Sequence, residues 1–592
     1  MKKVLTLVLA LVLALGVTAI AWATGEENEE VKPVEVWTGY TGTKVSDHAT
    51  IADAVAHLGE NKWIVIGKDY TLSENFTIPE GIFVDVANGA TLTVAKGVQI
   101  TVPAKAKRLG TRDGGTINGE GKVLVEGHGT VGSNDPNNES YVMVNGTMDV
   151  SMLSVPEGYV LDKNGSNYFA TEESKALFKV VYKDGTEIRT ADKSNIKGSK
   201  SATLLKDVVD FAMNIGPMDK LADDFVLDLG GFTLSGKSTA STQVLDISVP
   251  MTIQNGTIKY MSSDTGFGAM KTSADVVIAS NVTIDGGAGY GIWTDGYGHT
   301  LTVNGTVKSD GSYTIAGNGS ENSGLIAECN IVVNGGAKIE AKNGIAIYHP
   351  EKGTVTVNGG DISGHTGIEM CAGKLVVKGG SITSSGANMD ATGSQNAILD
   401  GGAISIIDRN YPGGTPTMEI TGGTIRATGK DALAVKAYDY KSDMVKEWTN
   451  AAESVKISGG TFSNDPNTYV VQNTPVATAG SDYIVGGKDI ADAANRGENV
   501  TIVKGGTIDG VKEGVTIAIG EDAGTVIINN KTVSGDSYTV PTTPRYYYNS
   551  TNDTKKDEGK TSPKTFDAGV GVYAVSAVLS LTGMAYVGKK KF

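Results

Sequence analysis

The chain has 592 residues, a formal net charge of −15, 78 glycines, 11 phenylalanines, 5 tryptophans and 2 cysteines. Such a surface repels nucleic acid and anionic lipid, and two cysteines exclude a disulfide-dense scaffold. Abundant glycine with few aromatics favours many short turns over one aromatic core.

Residues 1–23 combine Lys2, Lys3, an apolar run and the small-x-small stretch Ala21-Trp22-Ala23. They read as a secretory signal peptide cut after Ala23, the alternative being an uncleaved anchor. Residues 24–45 are expected to be a flexible lead-in, acidic and then turn-rich. In residues 46–60, Ile51, Val55 and Leu58 fall at helical spacing behind Ser46 or Asp47 as cap, which predicts a short helix over the open end of a stack. The rest of 46–150 alternates apolar residues in short strands divided by Gly, Pro and Asn. Residues 151–200 read as a connection, and 201–216 (SATLLKDVVDFAMNIG) as a second helical patch.

From about residue 250 one phrase recurs: LTVNGTV, IVVNGGAKI, VTVNGGDI, LVVKGGSI, MEITGGTI and VKISGGTF. A unit of this size cannot bury its own apolar face, but stacking unit on unit at about 4.8 Å buries a continuous column. Val355, Val357 and Ile362 should then face the core of one unit, and Leu375, Val377 and Ile382 that of the next. Asn304, Asn334 and Asn358 should share one corner and bond along the stack, the rival reading of Asn-Gly being a hairpin turn. A second strand phrase places Ile292, Leu325, Ile345, Ile368, Ile398 and Leu433 in one inner column. Consecutive parallel strands demand right-handed crossovers. The expected fold class is therefore all-β, a right-handed parallel β-helix or solenoid over 201–475, with short capping helices. Residues 476–540 read as a small β-rich terminal domain, and 541–561 as a Pro/Thr/charge-rich wall-spanning linker.

The phrases LDLGGFTLSG and ISGGTFSNDP resemble the pectin-lyase-like parallel β-helix repeats of Gram-positive surface proteins. The end of the chain carries Ser562-Pro563-Lys564-Thr565, an uncharged span from Ala568 to Gly588, and Lys589, Lys590 and Lys591. Residues 562–592 thus resemble a sortase-type cell-wall sorting signal, departing from its common Leu-Pro-x-Thr-Gly form at Ser562 and Phe566. That resemblance implies cleavage at Thr565, with sortase and peptidoglycan as partners and an extracellular address. A plain tail anchor is the alternative, and the membrane is touched only through this segment.

The outward face of the second phrase offers Asp295, Glu328 and Glu369 as candidate catalytic carboxylates, with Trp293 and Tyr348 as candidate sugar-stacking residues. Asp295 and Glu328 should lie one strand spacing apart, near the retaining-glycosidase separation, and Glu369 should be a solvated residue. His299, His349 and His365 read as three unrelated turn residues, Arg409 as a loop arginine and Gly127-His128-Gly129 as a turn. Cys329 and Cys371, two repeats apart, should stay free thiols. The expected function is display, adhesion or glycan contact at the cell surface, with glycans or a host surface as partner and neither metal nor cofactor. The alternative is a surface polysaccharide lyase or glycoside hydrolase on a plant or host glycan, with Ca2+ entering only in the lyase case.

Overall fold

The computed structural model describes residues 32–127, 140–239, 241–388, 399–441, 444–446 and 451–543. Residues 1–540 make one compact unit and 541–592 a second, of which only 541–543 are described. Residues 1–23, expected to be a signal peptide, together with His128, Ile398, Thr565 and the apolar C-terminal span, lie outside the described residues. Among the described residues, no helix is long and apolar enough to cross a membrane.

Alternation of apolar and polar residues over four or five positions makes each strand one-sided, and parallel pairing lets that side accumulate. In the N-terminal part, Trp63–Ile66, Phe83–Val86, Arg108–Thr111 and Tyr141–Val144 form one parallel ladder. Tyr70–Leu72, Thr91–Val94, Thr116–Gly119 and Thr147–Met148 form a second. Phe76–Thr77, Gln99–Val102, Lys122–Val125 and Leu153–Ser154 form a third. The first ladder ends in antiparallel pairs on both sides: Val34–Trp37 with Lys44–His48, and Tyr159–Asn164 with Asn167–Glu172.

The helix expected near the start is Ile51–Ala56, with Ile51 and Ala54 buried and Val55 packed against the core. Its cap is Thr50, which accepts from the Asp53 amide, instead of Ser46 or Asp47. Those two residues are held in the strand Lys44–His48, paired to Val34–Trp37, so the helix starts beyond them. The patch at 201–216 is not helical. Ser199–Leu204 is a strand between Phe178–Tyr182 and Val226–Asp228, and Met213–Ile215 is another. Ala202 and Leu204 are buried on one side of it, so sheet pairing overrides the helical spacing. The segment read as a connection, 151–200, contains the strands Tyr159–Asn164, Asn167–Glu172, Phe178–Tyr182 and Glu187–Thr190.

From Val226 onward the repeat is explicit. Val355 pairs with Leu375, Val357 with Val377 and Ile362 with Ile382, all six buried. Each repeat places two strands in one large sheet and a third in another, so three ladders run side by side again. Asn334 Nδ2 donates to Asn304 Oδ1 at 2.8 Å and Asn358 Nδ2 to Asn334 Oδ1 at 3.0 Å, an amide ladder across three successive corners. At the Asn334 and Asn358 corners the positive φ sits on the second glycine, Gly336 and Gly360, and not on the asparagine; Gly380 repeats this at the next corner, after Lys378, while Gly305 beside Asn304 has no positive φ. Residues beyond Val476 fold back as antiparallel strands and the helix Gly487–Asn495, with a core of their own that includes Ile490, Ile502 and Ile528. Asp482–Val485 pairs antiparallel with Val455–Phe462.

Candidate functional site: the outer face of the third ladder

The third ladder runs through Gly268–Thr272, Tyr290–Thr294, Tyr313–Gly317, Ile345–His349, Thr366–Met370, Ile404–Asp408 and Val435–Lys441. Its inward column is Met270, Ile292, Ile315, Ile347, Ile368 and Ile404, each 0 % exposed. Ile292 and Ile368 stand where expected. Leu325 and Leu433 do not, being 56 % and 42 % exposed, and Ile345 is buried on the outward side among Tyr348 and Ala316. The repeat after Tyr290–Thr294 is Tyr313–Gly317, whereas Leu325–Ile326 forms a two-residue hairpin arm with Glu321–Asn322.

Asp295 and Glu328 are therefore not stacked in one column. Glu328 begins a strand of another ladder, opposite Tyr297, with its amide on Gly296 O at 3.0 Å. Each carboxylate holds its own lysine: Asp295 pairs with Lys271 at 2.9 Å and Glu328 with Lys352 at 3.0 Å.

The outward register runs Trp293, Ala316, Tyr348, Glu369, Ser405, Lys436. Glu369 is not solvated; it is 0 % exposed. The segment after Asp408 covers it, bringing Arg409 and Tyr411 over the sheet. Arg409 Nη1 donates to Tyr411 Oη at 3.2 Å, and the Tyr411 and Tyr348 hydroxyls lie 3.2 Å apart. The Arg409 guanidinium sits 4.9 Å from the Tyr440 ring centroid. Arg409 is thus a buried member of the site and not an ordinary loop arginine. Cys371 Sγ lies 3.4 Å from Glu369 Oε1.

A second buried carboxylate, Asp400, accepts from Ser405 Oγ at 2.7 Å, Gly402 N at 2.9 Å and Tyr438 Oη at 3.1 Å, with Lys436 Nζ at 3.6 Å. Glu369 and Asp400 thus share one aromatic seam with Arg409 and Lys436. Burial, reinforced by Cys371 and Glu369, holds the Tyr348 phenol far above its ordinary value, and burial with Asp400 does the same to Tyr438. Burial, then Glu369, also raises the Cys371 thiol. Burial by itself would lower Arg409, but Cys371, Glu369 and the tyrosines hold it above its usual range. Near neutrality these phenols and this thiol keep their protons, so they donate hydrogen bonds and do not serve as bases. The rings at the rim, Trp293, Tyr313 and Tyr411, are only partly buried. Tyr313 stacks on Tyr348 with centroids 5.4 Å apart.

Beside the seam lies a carboxyl that the sequence did not single out. Glu351 is fully buried; its Oε1 accepts from Asn318 N at 2.9 Å and Thr294 Oγ1 at 3.3 Å. Burial, with Asp295 contributing, pushes it up to about 8. His299 lies opposite Cys329, and His349 Nε2 is 3.0 Å from Cys329 O, so these two histidines share a neighbourhood. Both are buried, and desolvation lowers both. Both cysteines are free and buried.

No family model, curated protein or solved structure matches this chain.

Proposed function

We propose that this chain is a cell-wall-anchored extracellular protein whose body is a right-handed parallel β-helix and whose work is glycan contact at the cell surface. The three-ladder recurrence supports the coil, and the two hydrophobic ends of the sequence, with Thr565 as acyl site, support the address. The observation that carries the binding role is the aromatic rim of Trp293, Tyr313 and Tyr411, part-open rings packed against a buried cluster. Flat rings held rigid from below lose little entropy when a sugar face stacks on them.

Polysaccharide cleavage is the second reading. Glu351 favours it, as a carboxyl pushed up to about 8 by burial with Asp295 nearby, the pairing of a raised carboxyl with a second one that acid-assisted cleavage uses. A glycan array probed with the protein and with its Trp293→Ala and Tyr411→Ala variants tests both readings when reducing-end and unsaturated-product assays run alongside. Binding that falls in the variants without product formation supports contact. Product formation abolished by Glu351→Gln, in a folded variant, overturns it in favour of cleavage.

A further inference from the structure

Far from the seam, three side chains at the start of the described chain converge on one point. His48 ends the strand Lys44–His48, and Asp53 and His57 stand four residues apart on and just after the helix Ile51–Ala56. His48 Nδ1 lies 2.9 Å from Asp53 Oδ2, and His57 Nδ1 lies 3.1 Å from Asp53 Oδ1. Both imidazoles thus turn Nδ1 toward Asp53, His57 Nδ1 also lying 2.8 Å from the Asp53 backbone oxygen, a contact that a metal would replace, with ring centroids 5.2 Å apart and an interplanar angle of 28°. One ligand atom from each residue lies within 4.8 Å of the others. We propose that His48, Asp53 and His57 form a binding site for a divalent transition metal of the zinc class.

Four arguments carry it. Two imidazoles and a carboxylate are a donor set that zinc takes, and three protein ligands leave one position for water. Donors at about 2.0 to 2.2 Å from a tetrahedral metal stand about 3.3 to 3.6 Å apart, so the nitrogen–oxygen separations of 2.9 and 3.1 Å need to open by only a few tenths of an ångström to admit one. The ring of His48 is oriented from behind, since its Nε2 bonds Ser46 Oγ at 2.7 Å, which aims Nδ1 at the carboxylate. His48 and Asp53 differ in exposure: His48 is buried and fixed, whereas Asp53 and His57 are open to solvent, so an ion has an entry path.

The site has a structural consequence. A six-residue helix is marginal by itself. A metal bridging His48 to Asp53 and His57 ties the strand Lys44–His48 to the helix whose Ile51 and Ala54 pack on the main core.

The test uses the full chain freed of metal by chelator. Titration with Zn2+ by calorimetry should show one site, and the melting temperature should rise with Zn2+ concentration. His57→Ala also removes contacts with Asp53 and His48, so its response to Zn2+ is read against its own melting temperature in chelator. It should bind Zn2+ on the order of 100-fold more weakly, and Ser46→Ala on the order of tenfold. The chain has only six histidines, which keeps competing sites few. Absence of Zn2+ binding, or binding that His57→Ala leaves unchanged, overturns the proposal and leaves a proton-sharing His–Asp–His network.

Discussion

At the scale of single residues, neighbours in the chain can lie in opposite environments and still matter equally. Ile368 faces the core and Glu369 the covered seam, and both are 0 % exposed. Ile368→Ala should cost about 2 to 5 kcal/mol through its cavity. Glu369→Ala should cost about 3 to 5 kcal/mol, because it strips the buried Arg409 of an anion. Urea denaturation of the two variants checks this, and a near-silent Glu369→Ala would place that side chain in solvent. The face of Ile368 could be read from period-two alternation. The fate of Glu369 could not, because its cover arrives from Arg409 and Tyr411, some forty residues on, and alternation reports a strand's two sides without saying what lies over the outer one. Glu351 gives a pH signature. Its folded carboxyl titrates near 8 against an ordinary 4.5, so between those values the folded chain holds a proton that the unfolded chain has released. Stability should therefore fall as pH rises from about 4.5 to 8 and level off above. Melting temperatures across this range should show the fall in the parent and lose much of it in Glu351→Gln.

At the scale of elements, the strands legible in the sequence were those written in the repeated phrase. The Val355/Leu375 and Ile362/Ile382 pairs and the asparagine ladder follow directly from it. Tyr313–Gly317 escaped because YTIAG lacks the expected leading glycine, while the exposed arm at 324–328 has it. The segment 201–216 misled for the opposite reason, its spacing suiting a helix that its sheet neighbours exclude. Corner glycines offer a test of the stack. Gly336 and Gly360 have φ of +87° and +84°, but a Cβ on Gly336 meets nothing, while one on Gly360 would lie 2.7 Å from Ala337 O of the preceding repeat. Gly336→Ala should cost about 1 to 2 kcal/mol from backbone conformation. Gly360→Ala should cost more, since Ala337 O is backbone already fixed in its own corner. Equal costs in chemical denaturation would mean that successive corners are not stacked as described.

At the scale of the whole molecule, burial joins distant positions into one measurable event. Cys329 and Cys371 are both free and buried, and burial raises both thiols well above the ordinary value. In native buffer neither should react with a thiol reagent over minutes, and in denaturant both should react, giving two equivalents by mass spectrometry. One fast thiol in native buffer would show local opening at that repeat. The side-by-side ladders also fix how the body should answer to pulling. Each repeat clings chiefly to the one before and the one after, so tension on the chain ends loads a single boundary at a time instead of shearing all strands at once. Rupture should run inward from an end in discrete steps. A repeat such as that between Asn334 and Asn358, 24 residues long, would release roughly 80 Å of extended chain. A protein tethered by one end in flowing fluid would in that way lengthen under load and shed force step by step, keeping the repeats still folded in register.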